Sequence, residues 1–281
     1  MSKPEWLKID LPNKEYYKTK EVLDYVGVNT VCREAKCPNV NECWGKKTAT
    51  FMILGDVCTR GCKFCNTKKG RVGKAVDFEE AERIVTATKL LGLKYVVITS
   101  VDRDDLQDLG AGHFAMCIKK IKTETDAYIE VLTPDFQGKN EFIDMVCSAG
   151  PDVFGHNVEC VKRLQALVRD RRASYEQSLG VLRHVAEEYP EMIVKSGFMV
   201  GLGENDKEVE ETIRDIFSVG ARMLCIGQYL QPTKKHYNVV EYISPEKFKE
   251  YEQIAREVGF KYVACGPLVR SSYNAHMLFM A

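Results

Sequence analysis

Three cysteines, Cys58, Cys62 and Cys65, are spaced closely enough to share one metal cofactor. Thiolates in so short a run can hold three irons of a cubic 4Fe–4S cluster. No fourth cysteine follows closely, so the fourth iron would stay open to chelate a small molecule. A zinc site would usually need a second Cys-x-x-Cys pair to close its four-ligand shell, and only one such pair occurs here. The spacing therefore favours an iron–sulfur cluster with one exchangeable position over zinc.

A second set of three cysteines, Cys32, Cys37 and Cys43, precedes the first with the spacing Cys-x4-Cys-x5-Cys. Two separate sets predict two separate clusters. A structural zinc site is the alternative for this second set. Zinc would want a fourth ligand, however, and no histidine lies close to these cysteines in the sequence.

The composition of the whole chain excludes several classes of protein. Its 281 residues carry 40 basic and 40 acidic side chains, so the charge predicts neither nucleic acid nor an anionic membrane as a partner. No run of about 20 apolar residues predicts a transmembrane helix. The first residues read neither as a secretory signal nor as a transit peptide, and an odd number of cysteines, eleven, argues against a disulfide framework. We therefore expect a cytoplasmic protein.

From about residue 50 onward, short apolar strands alternate with amphipathic helices, which predicts a parallel sheet with right-handed crossovers. Asp77 is the predicted N-cap of the first of these helices, and Ser244 with Pro245 begins the last. Such sheets bind ligands at the carboxyl ends of their strands, and the loop with Cys58 directly follows the first strand. The predicted strands are 50–55, 95–99, 128–132, 152–154, 192–200 and 223–229, and the predicted helices are 77–92, 113–122, 141–149, 160–169, 174–189, 206–219 and 244–259.

The Cys-x3-Cys-x2-Cys spacing, with Phe64 before the last cysteine, resembles the motif of the radical SAM superfamily. The resemblance implies that the open iron binds S-adenosylmethionine, which an electron from the cluster splits into methionine and a 5′-deoxyadenosyl radical. It also implies an α/β fold, a partial (β/α)6 barrel of the TIM type. We expect residues 1–48 to form an N-terminal extension that carries the second cluster, 49–265 the barrel, and 266–281 a short C-terminal tail.

The order of the two cysteine sets resembles one family within that superfamily, the lipoyl synthase family. Further stretches match along nearly the whole chain. They are Glu34-Ala35-x-Cys37-Pro38-Asn39 and Glu42-Cys43-Trp44, together with residues 99–106, 133–136, 195–204, 227–233 and 266–273. Each stretch alone is weak evidence, but their order makes a chance match improbable.

This resemblance implies a sulfurtransferase that inserts two sulfur atoms, at C6 and C8, into an octanoyl chain on a lysine of a lipoyl carrier protein. The cluster on Cys58, Cys62 and Cys65 would be catalytic and generate the radical. The cluster on the other three cysteines would donate sulfur and be consumed. The resemblance also implies a serine as the fourth ligand of the donor cluster, from Arg270-Ser271-Ser272-Tyr273. Both Ser271 and Ser272 remain candidates.

Polar residues at the ends of predicted strands are candidates to contact S-adenosylmethionine. Each is equally compatible with a helix cap, a strand end or a solvated loop. The candidates are Ser100, Asn157, Glu159, Lys195 and Glu204.

The partners implied by the family are octanoylated lipoyl carrier domains, namely the E2 subunits of 2-oxoacid dehydrogenases and the H protein of glycine cleavage. An electron donor and a cluster-repair protein are implied as well. The basic stretch Lys234-Lys235-His236 could contact an acidic carrier or be a solvated loop. Two alternatives remain open, another radical SAM enzyme with an auxiliary cluster and a non-catalytic iron–sulfur or zinc protein.

The two cysteine sets predict the metal content. Anaerobically reconstituted protein should contain roughly eight irons per chain, the content of two four-iron clusters. Elemental analysis by mass spectrometry checks this number, and zinc in place of iron would contradict the assignment.

Overall fold

The structure, a computed structural model, describes residues 3–9, 11–273 and 275. Within these residues there are nine strands, β1 Thr50–Ile53, β2 Val57–Cys58, β3 Lys68–Lys69, β4 Tyr95–Ser100, β5 Tyr128–Leu132, β6 Val153–Gly155, β7 Ile193–Val200, β8 Met223–Gln228 and β9 Tyr262–Gly266. The α-helices are α1 Lys14–Val26, α2 Val31–Glu34, α3 Val40–Gly45, α4 Glu80–Leu91, α5 Ala111–Glu124, α6 Asn140–Cys147, α7 Gln165–Val168, α8 Tyr175–Glu188, α9 Asp206–Ser218 and α10 Pro245–Val258.

Hydrogen bonds connect seven of these strands in the order β1-β4-β5-β6-β7-β8-β9, and β2 and β3 form a separate pair. The predicted parallel α/β sheet is thereby confirmed. The seventh strand, β9, was absent from the predicted set of six. Within the described residues, no helix is long and apolar enough to cross a membrane.

The chain divides into two compact units. The amino unit comprises residues 9–60 and 66–154, and the carboxyl unit comprises residues 1–8, 61–65 and 155–281. The functional division into an extension, a barrel and a tail stays a prediction.

The amino unit is built on the parallel strands β1, β4 and β5. Phe51, Ile98 and Ile129 lie in these strands with no exposed surface, and Phe114 of α5 is equally buried. Full burial of each such side chain stabilises the fold by about 1.5–3 kcal/mol. Helices α4, α5 and α6 pack in succession, and α1 packs against α3 and α4. This core fixes the loops that leave the carboxyl ends of the strands.

The predicted N-cap Asp77 is wrong, because α4 begins later, at Glu80. The carboxylate of Asp77 instead accepts from the backbone N–H of Glu79, and its carbonyl accepts from the N–H of Glu80. Asp77 therefore stabilises a turn that precedes the helix.

The carboxyl unit is built on the parallel strands β7, β8 and β9. Its helix boundaries follow local sequence signals. Asn205 and Glu208 form a reciprocal capping box at α9, and the predicted start of α10 is confirmed, with Ser244 as N-cap and Pro245 as the first helical residue. The predicted helix 160–169 is a short 3-10 turn, Lys162–Leu164, followed by α7.

Candidate functional site

Cys58 lies just beyond β1 in the amino unit and is nearly buried. Its thiol donates to a carboxylate oxygen of Asp102 across 3.7 Å, and the backbone N–H of Arg60 donates to its sulfur across 3.5 Å. Asp102 follows β4, so the carboxyl ends of two neighbouring strands position this sulfur.

Arg60, two residues after Cys58, is a buried cation that faces three carboxylates. Its guanidinium donates two hydrogen bonds to Asp104, both 2.9 Å long, and two to Asp135, of 2.6 and 2.7 Å. Its Nε also lies 3.2 Å from Oδ1 of Asp102. Paired hydrogen bonds of this kind between arginine and a carboxylate are strong and fix geometry. Arg60 thereby ties the loop with Cys58 to the loops after β4 and β5.

The pKa of the Asp104 carboxyl reflects the charge of this network. Burial raises the pKa of its carboxyl, but hydrogen bonds from Arg60 and Gln137 outweigh that effect and hold the pKa at about 2. Asp104 is therefore a carboxylate throughout the neutral range, as a partner of a permanently charged guanidinium should be.

Cys62 and Cys65 belong to the carboxyl unit, where hydrogen bonds to two other segments hold their loop. The backbone N–H of Asp170 donates to the sulfur of Cys62 across 3.3 Å, and the Asp170 carboxylate accepts from the N–H of Gly61 at 2.7 Å. The N–H of Lys63 donates to the carbonyl of Val168 at 2.7 Å. Phe64 packs against a buried cluster formed by Cys160, Val161, Leu164, Val168, Leu202 and Tyr229.

A second segment, residues 231–239, holds the other side of this loop. The Nε2 atom of His236 lies 3.1 Å from the carbonyl oxygen of Cys65, and its Nδ1 atom lies 2.9 Å from the hydroxyl of Thr233. Because a carbonyl only accepts, Nε2 carries the proton and Thr233 donates to Nδ1. The N–H of Tyr237 donates to the carbonyl of Lys63 at 2.9 Å. Sequence reasoning missed this role for His236, which had stood out only as part of a basic stretch.

The second cysteine set lies in the amino unit, with Cys32 in α2, Cys43 in α3 and Cys37 in the connection between them. The N–H of Cys37 donates to the carbonyl of Cys32 at 3.1 Å, which closes the turn. Burial, together with electrostatic repulsion from other thiols of the set, raises the pKa of Cys32 to about 11 and that of Cys43 to about 12. The three cysteines thus lie on two successive short helices and the turn between them.

The surroundings of this set suit an anionic group. Nε1 of Trp44 and Nη2 of Arg33 are buried, yet neither has a hydrogen-bond partner among the described residues. Buried donors are rarely left unpaired. A cluster ligated by thiolates carries negative charge and offers sulfur acceptors, so these residues fit it.

Within residues 3–9, 11–273 and 275, no three His, Cys, Asp or Glu side chains converge to ligate a single metal ion. A cubic cluster makes no such demand, because each thiolate binds a different iron.

Asn157 and Ser271 were separate candidates, and the carboxyl unit pairs them. The Asn157 amide donates to the Ser271 hydroxyl at 2.8 Å, and that hydroxyl lies 3.1 Å from the amide oxygen. Gly197 makes room for this pair. A Cβ at that position would lie 3.2 Å from the Asn157 oxygen and 2.9 Å from the carbonyl of Cys225.

The remaining candidates occupy distinct settings. In the amino unit, Ser100 ends β4 with a buried hydroxyl that has no partner among the described residues. In the carboxyl unit, Lys195 is buried within β7, and Glu159 bridges to Phe198 through its backbone. The Glu204 carboxylate accepts from the N–H groups of Gly201 and Leu202, and burial raises its pKa.

Comparison with known proteins shows which family this sequence is similar to. The model of the radical SAM superfamily matches residues 52–216. The lipoyl synthase of Anaeromyxobacter dehalogenans strain 2CP-C is 50% identical over 279 residues, which cover 99% of this chain and 95% of that protein. The mitochondrial lipoyl synthase of Aedes aegypti is 49% identical over 99% of this chain and 72% of its own length. The chloroplastic lipoyl synthase of Arabidopsis thaliana is 50% identical over 100% and 73%.

Two solved structures share the fold at low identity. Methylornithine synthase has a TM-score of 0.59 at 14% identity and covers 90% of this chain and 72% of its own. The FeFe-hydrogenase maturase HydG from Carboxydothermus hydrogenoformans has a TM-score of 0.60 at 14% identity and covers 88% and 56%. These two likenesses concern the fold alone.

Replacing Arg60 with methionine should strongly destabilise the protein, because Asp135 would keep a buried carboxylate without its counter-charge. We expect the free energy of unfolding at neutral pH to fall by about 3–5 kcal/mol. The pKa of Asp104, about 2, lies below the unfolded value of about 4. Its stabilising contribution is thus present at neutral pH and is lost as the pH falls from about 4 towards 2.

The difference between the wild type and Arg60→Met should accordingly narrow on acidification, as measured by denaturant titration at several pH values. Arg71→Met removes an exposed arginine of the same unit and serves as the matched control. It should change stability by less than about 0.5 kcal/mol at every pH. An equally small effect of Arg60→Met would contradict the role of the network.

Proposed function

The chain belongs to the lipoyl synthase family of the radical SAM superfamily, and on that premise we propose how its residues divide the work. The reaction is the insertion of two sulfur atoms, at C6 and C8, into an octanoyl chain on a lysine of a lipoyl carrier domain. When bound, one 4Fe–4S cluster with S-adenosylmethionine supplies a 5′-deoxyadenosyl radical, and a second cluster supplies the sulfur. The observation that carries this function is identity near 50% along the whole chain, across both cysteine sets.

We assign Cys58, Cys62 and Cys65 to the radical-generating cluster. Contacts within each unit favour a backbone that is set before the cofactor binds: Asp135 holds Arg60, two residues after Cys58, in the amino unit, and Asp170 and His236 hold Gly61 and Cys65 in the carboxyl unit. Such preorganisation matters for a primary radical, which must meet its target carbon and nothing else.

S-adenosylmethionine presents a carboxylate, an amino group and ribose hydroxyls. The buried ammonium of Lys195 suits the carboxylate of S-adenosylmethionine. The buried hydroxyl of Ser100 can both donate and accept a hydrogen bond, and it has no partner among the described residues. Asn157, Glu159 and Glu204 are proposed acceptors for the amino group and ribose. Of these candidates, the Glu204 carboxylate already holds its own loop and the Asn157 amide already contacts Ser271.

We assign Cys32, Cys37 and Cys43 to the sulfur-donating cluster, with Ser272 as the fourth ligand. The Ser271 hydroxyl is engaged by Asn157, whereas Ser272 carries the other hydroxyl of the motif. A serine oxygen is a harder ligand for iron than a thiolate, so it can leave when the cluster gives up sulfide.

The proposed partners are carrier domains of E2 subunits and of the glycine cleavage H protein, an electron donor, and a protein that rebuilds the spent cluster. Lys234 and Lys235 are exposed and precede His236, which holds the loop of Cys65. An acidic carrier could therefore dock beside that loop. None of the eleven cysteines, all within the described residues, forms a disulfide, which suits a reducing compartment such as the cytoplasm.

Single cysteine variants distinguish the proposed roles of the two clusters. Cys58→Ala should abolish both 5′-deoxyadenosine and lipoyl product, because no radical forms. Cys37→Ala should still yield 5′-deoxyadenosine but no product that has gained two sulfurs. Anaerobic incubation with reductant, S-adenosylmethionine and an octanoyl-lysyl peptide, followed by mass spectrometry, measures both. Lipoyl product from Cys37→Ala would refute the donor assignment.

The two serines make a matched pair. Ser272→Ala should lose lipoyl product while it retains 5′-deoxyadenosine formation. Ser271→Ala, which removes only the hydrogen bond to Asn157, should keep the larger share of product. The same mass-spectrometric assay decides, and the reverse order of product yields would transfer the ligand role to Ser271.

A further inference from the structure

Trp44 follows Cys43 in α3 and is 1% exposed. The ring of Tyr16 stacks on it with centroids 5.4 Å apart, and the guanidinium of Arg33 lies 4.8 Å from its centroid. Its carbonyl accepts a 2.8 Å hydrogen bond from the hydroxyl of Thr19. The indole is thus held in one orientation beside the second cysteine set.

The one polar atom of this side chain, Nε1, is buried and forms no hydrogen bond of normal geometry among the described residues. A buried indole N–H usually has a partner, and leaving one unpaired costs about 1–3 kcal/mol. Phenylalanine would keep an aromatic ring at this position but lacks this donor. We therefore expect this N–H to donate to a group that binds to the folded protein.

The indole lies close to the two helices that carry Cys32 and Cys43. Trp44 directly follows Cys43 in α3, and the guanidinium that lies over its ring belongs to Arg33, which directly follows Cys32 in α2. A neutral thiol is a weak acceptor, whereas a thiolate bound to iron is a strong one.

We propose that the indole N–H of Trp44 donates a hydrogen bond to a sulfur of the second cluster when that cluster is bound by Cys32, Cys37 and Cys43, which makes Trp44 a positioning residue that raises the reduction potential of that cluster. The inference rests on the assignment of Cys32, Cys37 and Cys43 given under the proposed function. A donor on a ligand sulfur stabilises negative charge on the cluster and so favours its reduced state. The neighbouring buried donor, Nη2 of Arg33, acts in the same sense.

The test uses the full chain with Cys58, Cys62 and Cys65 replaced by alanine, so that only the second cluster gives an EPR signal on reduction. Trp44→Phe keeps the aromatic ring but removes the N–H. The matched control is Trp6→Phe at the other of the two tryptophans, which is 42% exposed. With roughly four irons retained per chain, an EPR-monitored redox titration should give a lower potential for Trp44→Phe and an unchanged one for Trp6→Phe.

A second measurement does not depend on the stability of Trp44→Phe. In the Trp6→Phe background Trp44 is the sole tryptophan, so growth with tryptophan labelled with nitrogen-15 at Nε1 labels one site. Pulsed EPR of the reduced cluster should then detect coupling to that nitrogen and to its exchangeable proton.

Absence of this coupling in protein that retains its iron would overturn the inference, as would equal potentials for Trp44→Phe and the control. If Trp44→Phe loses the cluster, the labelled Trp6→Phe protein decides alone. If the chain without Cys58, Cys62 and Cys65 binds no iron at all, the ligand assignment itself has failed and the inference with it. Failure of the inference and failure of the proposed function are thereby distinguished.

Discussion

A buried guanidinium faced by three carboxylates, Arg60 with Asp102, Asp104 and Asp135, ties together the loops that follow β1, β4 and β5 in the amino unit. Burying a charge is costly unless it is paired and hydrogen-bonded, and here every connection runs between loops far apart in sequence. The network is therefore satisfied only when all three strands end in register. It couples the placement of Cys58 to the fold of the sheet.

The grouping of six cysteines into two sets could be read from the sequence, because cluster ligation demands thiolates at short fixed spacing, and their assignment to two clusters stays a proposal. The alternation of strands and helices was predictable for a similar reason, since apolar periodicity is local. The strand β9 was not predicted because its five residues, Tyr262–Gly266, show little periodicity, and only Val263 and Gly266 among them are buried. Asp77 misled because a capping pattern next to a helix also fits a turn that precedes it.

Pairings between distant residues could not be predicted. Nothing local in Arg60 shows that it meets Asp135, 75 residues later, or that Asn157 meets Ser271, 114 residues later. His236 stood out as part of a basic stretch, a property of charge, whereas its observed contact is a hydrogen bond to a backbone carbonyl, which no composition reveals. Buried donors without a hydrogen-bond partner, such as Nε1 of Trp44, likewise cannot be predicted until the packing that buries them is known.

The two cysteine sets lie in environments of opposite electrostatic character. Beside Cys58, three carboxylates outnumber one guanidinium, and a thiol contact to Asp102 brings negative charge close to the sulfur. Beside Cys32, two donor atoms, Nε1 of Trp44 and Nη2 of Arg33, are buried without a hydrogen-bond partner among the described residues. Negative charge near a cluster disfavours its reduced state and makes it a stronger electron donor, while donors near a cluster have the reverse effect. On the proposed assignment, the first environment suits a centre that must inject an electron into S-adenosylmethionine, and the second suits a centre that must survive as an anion until its sulfide is taken.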